Sequence, residues 1–168
     1  AFTPLATEQR ESLLEDLPPL ARDSDVVGSV LIAEEGVNGT ISGPDTGVES
    51  LLKRLRQELT LGHDQFERLE VKRSWADKPV FRRFKARRKK EIVTMGVAGV
   101  NPRGCVGTYV DPQDWNALVD DPDTVVIDTR NSYETTIGTF DGALDPGTES
   151  FREFPEWAER TLRPLLRQ

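Results

Sequence analysis

Apolar residues recur along the first third of the chain with two different periods. Leu13, Leu14, Leu17 and Leu20 follow a helical stripe within residues 8–22, and Thr7 stands where a cap is expected. Pro18 and Pro19 should end that helix or distort its last turn, because proline brings no amide hydrogen. Residues 26–33 then switch to a β-branched run, and 37–42 give a second strand. Between them Glu34, Glu35, Gly36, Val37, Asn38 and Gly39 read as a turn, since Gly36 and the Asn38-Gly39 pair tolerate positive φ. Residues 46–60 return to helical spacing, with Val48, Leu51, Leu52, Leu55 and Leu59 on one face and Gly62 placed to cap the end. Leu69 and Val71 alternate within a strand predicted over 66–74. The order helix, strand, strand, helix, strand becomes βαββαβ, the ferredoxin-like split βαβ, if a short strand lies at or before residues 1–3.

Residues 75–106 are turn-rich, with one short strand at 92–95. Residues 107–110 read as a strand, and Asp111 caps a helix whose first position is Pro112. The continuous apolar run 124–127 is typical of a parallel strand buried on both faces, and 150–166 read as mostly helical. Trp75, Trp115 and Trp157 are the simplest packing anchors. The pattern predicts α/β architecture in three parts: an α+β ferredoxin-like domain over 1–74, a basic connector over 75–106, and a partial, open α/β domain over 107–168. So short a second unit buries little surface, and an open parallel edge is a liability. A second chain, or a segment beyond Gln168, is therefore expected to complete its sheet.

Composition narrows the class. No run of 18 apolar residues is present, and the start has neither a basic segment nor an apolar core of a leader, so no membrane partner is expected. The single cysteine, Cys105, cannot form an internal disulfide, which fits a reducing cytoplasm. One histidine and one cysteine cannot make a His/Cys metal cluster, and no EF-hand spacing occurs; no metal, flavin or haem motif is readable.

Charge changes the picture more. The net charge is −7, yet residues 72–90 hold ten Lys/Arg against Asp77 alone, a local +9 that leaves −16 elsewhere. Such a strip is expected to face a polyanion. Its core is Arg82, Arg83, Lys85, Arg87, Arg88, Lys89 and Lys90, cations suited to phosphates. Phe81 and Phe84, interleaved with them, either stack on bases or anchor the strip in a core.

Other candidates carry two readings each. Glu34 and Glu35, beside Asn38, are paired carboxylates suited to acid–base work, or simply an acidic hairpin tip. Asp128 ends the buried apolar run, where open α/β sheets gather ligands. Arg130 and Glu134 are close enough in sequence to pair and fix the following turn, a structural role as readily as a functional one. Arg103 near Cys105 would lower the thiol pKa, but His63 lies in the other domain and reads as a surface turn residue, so Cys105 has no base.

Taken together these pieces resemble one family. Residues Thr124 to Arg130, then Tyr133, Glu134, Gly138 to Phe140, Gly142 and Ala143, resemble the front half of a rhodanese-type domain. Joined to the stretch from Leu31 to Gly43, the run Phe84 to Val93, Gly107 to Val110, Asp114 to Asn116 and Phe151 to Phe154, they resemble the rhodanese-domain tRNA uridine hydroxylases over essentially the whole chain. The resemblance implies oxygen-dependent hydroxylation of the wobble uridine to 5-hydroxyuridine, with molecular oxygen as co-substrate and the tRNA anticodon region as partner. It implies that Asp128 borders the pocket, that Arg130 and Glu134 support it, that the basic strip faces tRNA, and that the hairpin with Glu34, Glu35 and Asn38 lies near substrate. The family's nucleophilic cysteine, in a loop of Cys, Gly-Gly and Arg-Cys, is expected beyond Gln168, so this chain is expected to be truncated before the active-site loop and inactive alone. Thr139 stands where general rhodaneses have histidine. A rhodanese-type sulfurtransferase and a non-catalytic RNA-binding module are the competing expectations.

Overall fold

Helix α1 spans Thr7–Asp23 in the computed structural model, which describes residues 3–60, 69–78, 80–97, 100 and 107–165. Thr7 is the first helical residue and not the cap. Instead the Ala6 amide donates to Gln9 Oε1 at 2.8 Å, which satisfies one free amide at the start. The helix runs through Pro18 and Pro19, against expectation, because Leu17 and Ala21 continue a fully buried stripe across them. It ends about one turn later by backbone geometry. Asp25 adopts φ +54°, and the amides of Asp25 and Val26 donate back to the carbonyls of Arg22 (3.3 Å) and Ala21 (2.8 Å). That is a Schellman closure, with Val26 turned into the core.

The chain divides into two units, Ala1–Ile92 and Val93–Gln168. In the first, strands β1 (Val27–Ala33) and β2 (Gly36–Ser42) pair antiparallel, with Ala33 opposite Gly36. The turn is therefore only Glu34 and Glu35, followed by Gly36 at φ +138°, a region closed to side chains. Asn38 and Gly39, expected in the turn, belong to β2. A Cβ on Gly39 would stand 2.3 Å from the Ser29 carbonyl oxygen, so close strand approach and not positive φ explains this glycine.

Helix α2 (Asp45–Thr60) follows, and strand β3 (Phe84–Arg88) completes a sheet of order β2-β1-β3, parallel to β1. Two expectations are corrected here. Residues 69–74 form no strand, and the third strand comes from the basic segment assigned to the connector. The reason lies in the alternation of Phe84 and Ala86 with Lys85 and Arg87: the apolar pair packs on the core, which is the period-two signal beneath the charge. The short strand expected at 92–95 is not formed either. Gly62 and residues 1–2 and 66–68 lie outside the described residues, so the cap and the outer parts of two predicted strands do too.

Both helices cover one face of the sheet. Leu13, Leu17 and Ala21 of α1 meet Leu51, Leu55 and Leu59 of α2 over Val30, Ile32 and Val37 in one core. A polar clamp joins the helices: Arg54 Nη2 reaches Asp16 Oδ2 at 2.8 Å, Glu58 Oε1 at 2.7 Å and Ser12 Oγ at 2.6 Å. Glu58 is buried, and its pairing with Arg54 offsets the cost of removing it from water.

The second unit is sparser. Helices α3 (Trp115–Val119), α4 (Ser132–Thr135) and α5 (Phe154–Leu165) are joined by long connections. Helix α3 starts at Trp115 after a turn in which the Asp114 amide bonds the Asp111 carbonyl, so Asp111 and Pro112 precede it. Residues 107–110 form no strand. The apolar run 124–127 makes one parallel bridge, Ile127 to Leu144, and Val125 is 53% exposed, in contrast to the two-faced burial expected. Aromatic contacts supply packing instead: Trp115 on Phe140 at 5.1 Å, and Phe154 between Phe151 (5.4 Å) and Trp157 (5.7 Å). Trp75, expected as an anchor, is 83% exposed. No helix among the described residues is long and apolar enough to cross a membrane.

Candidate nucleic-acid interface

Pairing sorts the basic segment into neutralised and free cations. Arg73 pairs with Glu49 of α2, Arg88 pairs with Glu11 of α1, and Lys72 lies 3.5 Å from Glu70. Arg82, Arg83, Lys85, Arg87, Lys89 and Lys90 have no ion pair among the described residues, and all but the half-buried Lys85 are exposed. Like charge is felt within the group: Arg83 first, then Arg87, push the Lys85 ammonium below its ordinary pKa. A cation cluster without carboxylates is built for an external polyanion. Phe84, a candidate base-stacking ring, is turned toward the core and does not face solvent with the cations.

The hairpin residues separate. Glu34 is exposed, and its carbonyl accepts the Leu5 amide at 2.9 Å. The Glu35 carboxylate accepts the Ile92 amide, tying the end of the first unit to the turn. Asn38 Oδ1 accepts the Gly39 amide at 2.9 Å. Glu35 thus holds backbone, and among the described residues no hydrogen bond brings the two carboxylates to a common partner.

Asp128 is the most heavily bonded acid among the described residues. Its Oδ2 accepts from Arg130 Nη2 at 2.6 Å and Thr139 Oγ1 at 2.8 Å, and its Oδ1 from Arg130 Nε at 2.9 Å and the Arg130 amide at 3.2 Å. Arg130 Nη2 also donates to the Gly138 carbonyl at 2.6 Å. One buried carboxylate therefore closes the loop from residue 128 to 139, with α4 inside it. The Arg130 side-chain bonds, then that of Thr139, hold the Asp128 pKa far below the ordinary carboxylate range, against the opposing effect of burial. Such a carboxylate is a poor proton acceptor near neutrality, so it serves as an anchor and not as a general base. The expected Arg130–Glu134 pair is replaced: Arg130 pairs with Asp128, and Glu134 Oε1 accepts from Asn131 Nδ2 at 3.0 Å. Sequence reasoning placed all three residues together and marked Thr139 only as the residue where general rhodaneses have histidine, not as a bonding partner. Its hydroxyl is what lets it donate to Asp128.

Cys105, Arg103 and His63 lie outside the described residues. Among the described residues no group of three His, Cys, Asp or Glu is arranged to hold a metal ion. A shallow surface depression in the second unit carries Asp111, Asp114 and Asp121, charges that would repel phosphate.

Two helices on one face of a small sheet, with a basic strand at its edge, define the ferredoxin-like, acylphosphatase-like class. The family model described as "UPF0176 acylphosphatase like domain" matches residues 1–92, the whole of the first unit, and the chain belongs to that family. It is 72% identical over 166 residues to a protein named tRNA uridine(34) hydroxylase from Parasynechococcus marenigrum (strain WH8102), covering 99% of this chain and 52% of the relative. A protein of the same name from Synechococcus sp. (strain CC9902) is also 72% identical, with 54% of its length covered. One from Rhizobium etli is 56% identical over 149 residues, 89% of this chain and 47% of that protein. The chain thus spans about half the length of the curated relatives it matches.

Proposed function

We propose that this chain is part of a cytoplasmic, oxygen-dependent tRNA hydroxylase that converts the wobble uridine to 5-hydroxyuridine. The observation that carries the reading is the 72% identity, over 99% of the chain, to a protein named tRNA uridine(34) hydroxylase. The free cations Arg82, Arg83, Lys85, Arg87, Lys89 and Lys90 support tRNA as the partner, because cations without carboxylate partners gain most from releasing the counterions of phosphates. A wobble-uridine enzyme must hold the anticodon region, so that is where the strip would act. The second unit is read as the front of a rhodanese-like domain, with Asp128, Arg130 and Glu134 shaping the border of its pocket. The incomplete burial of the run 124–127, with Val125 53% exposed, supports a sheet that further chain or a partner completes. The reacting thiol, on this reading, belongs to residues beyond Gln168, and molecular oxygen is the co-substrate.

The test is nucleoside mass spectrometry of tRNA from a strain lacking the gene. Loss of 5-hydroxyuridine, restored by the gene and carrying heavy-isotope oxygen after growth in labelled dioxygen, is the expected result. Unchanged 5-hydroxyuridine in the deletion strain would overturn the reading.

A further inference from the structure

The pleat of the sheet splits the basic segment in two. Phe84 and Ala86 pack on the core, and Arg88 pairs with Glu11 of α1, so positions 84, 86 and 88 face the helices. Lys85 and Arg87 therefore face the other side. The same argument orients the neighbours. Val30 and Ile32 of β1, with Val37 and Ile41 of β2, are in the core or packed on it, so Ser29, Leu31, Asn38 and Thr40 face away. The register brings these residues into two rows across the sheet. Thr40 is opposite Ser29, which is opposite Lys85; Asn38 is opposite Leu31, which is opposite Arg87. Helices α1 and α2 lie on the opposite face; Asn38, Thr40 and Arg87 are exposed, and Ser29, Leu31 and Lys85 are half-buried.

We propose that this sheet face, the one turned away from α1 and α2, and not the basic segment as a linear whole, holds the sugar–phosphate backbone of RNA, with Lys85 and Arg87 as its cationic contacts. The proposal rests on the RNA reading above and adds the surface. The complementarity is specific. Lys85 and Arg87 stand about 6.7 Å apart along β3, a spacing on the scale of neighbouring phosphates in an extended strand. Ser29, Thr40 and Asn38 place neutral hydrogen-bonding groups beside them, suited to ribose hydroxyls and phosphate oxygens. No aromatic side chain is among the six, so the face offers charge and hydrogen bonds without a stacking platform. Contacts of this kind position an RNA without reading its sequence.

The test measures binding of the 168-residue chain to tRNA and to poly(U) by fluorescence anisotropy across a salt series. The K85A/R87A double variant is expected to lose about tenfold in affinity at moderate salt. It should also reduce the slope of log K against log salt by about 1.4, the value for two single-strand phosphate contacts. Arg88→Ala, whose side chain is on the helix side, is expected to stay within about twofold of the parent. Thr40→Glu keeps every cation but sets a carboxylate among them, and should weaken binding several-fold. It also serves as the second variant should the double variant fail to melt like the parent. Equal losses for R88A and K85A/R87A would show that the segment acts as a line and overturn the face assignment. Undiminished binding by K85A/R87A and by Thr40→Glu would overturn it too, while leaving the hydroxylase reading to the nucleoside assay. Absence of binding by the parent chain at low salt would overturn it independently of that assay.

Discussion

At Asp128 the hydrogen bonds have a signed consequence for pH. The folded chain holds this carboxylate well below its unfolded pKa, near 4. The native state therefore binds fewer protons than the unfolded chain in acid, and the stabilisation is fully present above the unfolded pKa. It is lost as pH falls through that value toward the folded one. Amide exchange at Arg130, whose N–H donates to Oδ1, is expected to be flat between pH 5 and 8 after correction for intrinsic rates, and to accelerate below pH 4. Asp128→Asn should show several-fold faster corrected exchange already at neutral pH and lose the acid dependence, because the amide cannot accept from Arg130 and Thr139 with equal strength. An acid transition unchanged in Asp128→Asn would assign it to another carboxylate. Asp128 was legible as a position because it ends an apolar run. Its partner was not, since Asp128 and Glu134 both lie within four residues of Arg130 in sequence and only the folded loop selects between them.

The elements show where pattern and geometry part. The stripe Leu13, Leu17, Ala21 outlasted two prolines because burial along a face outweighs the loss of a backbone bond or two. The stop signal was Asp25, in a left-handed conformation that no periodicity reveals. Asp25 is exposed and carries a negative charge at the carboxyl end of a helix, so Asp25→Gly is expected to stabilise the first unit by about 0.5–1 kcal/mol in urea unfolding. Destabilisation would mean the carboxylate has a role beyond the turn. Glycine in β2 behaves oppositely. Gly39→Ala sets a Cβ against the Ser29 carbonyl and should cost about 1–3 kcal/mol, whereas Gly138→Ala, with no atom within 4 Å of the added carbon, should be close to neutral. Strand β3 was hidden for a different reason. Its alternation is regular, but Lys85, Arg87 and Arg88 made the segment look like a solvated linker, and only two small steps of apolar period remained.

Over the whole molecule, burial is uneven, and this limits what the sequence could disclose. Apart from Trp157, every buried apolar side chain among the described residues belongs to the first unit. There the periodic positions Leu13, Leu17, Leu51, Leu55 and Leu59 met each other as the pattern required, and the ferredoxin-like class was readable. In the second unit the run 124–127 stated what a strand needs, apolar neighbours on both sides, and a pattern cannot supply the neighbours. Stability should follow the same division. In native-state hydrogen exchange of the intact chain, amides of Val30 and Ile32 on the central strand are expected to exchange only by global opening of the first unit, and amides of residues 124–127 by low-energy local opening. Leu51→Ala removes a fully buried side chain from that core and should lower the protection of Val30 and Ile32 by about 2–5 kcal/mol. Protection at Val125 and Val126 equal to that at Ile32 would show that the second unit holds its strand as firmly as the first. The stability would then have to come from contacts other than the single bridge between Ile127 and Leu144.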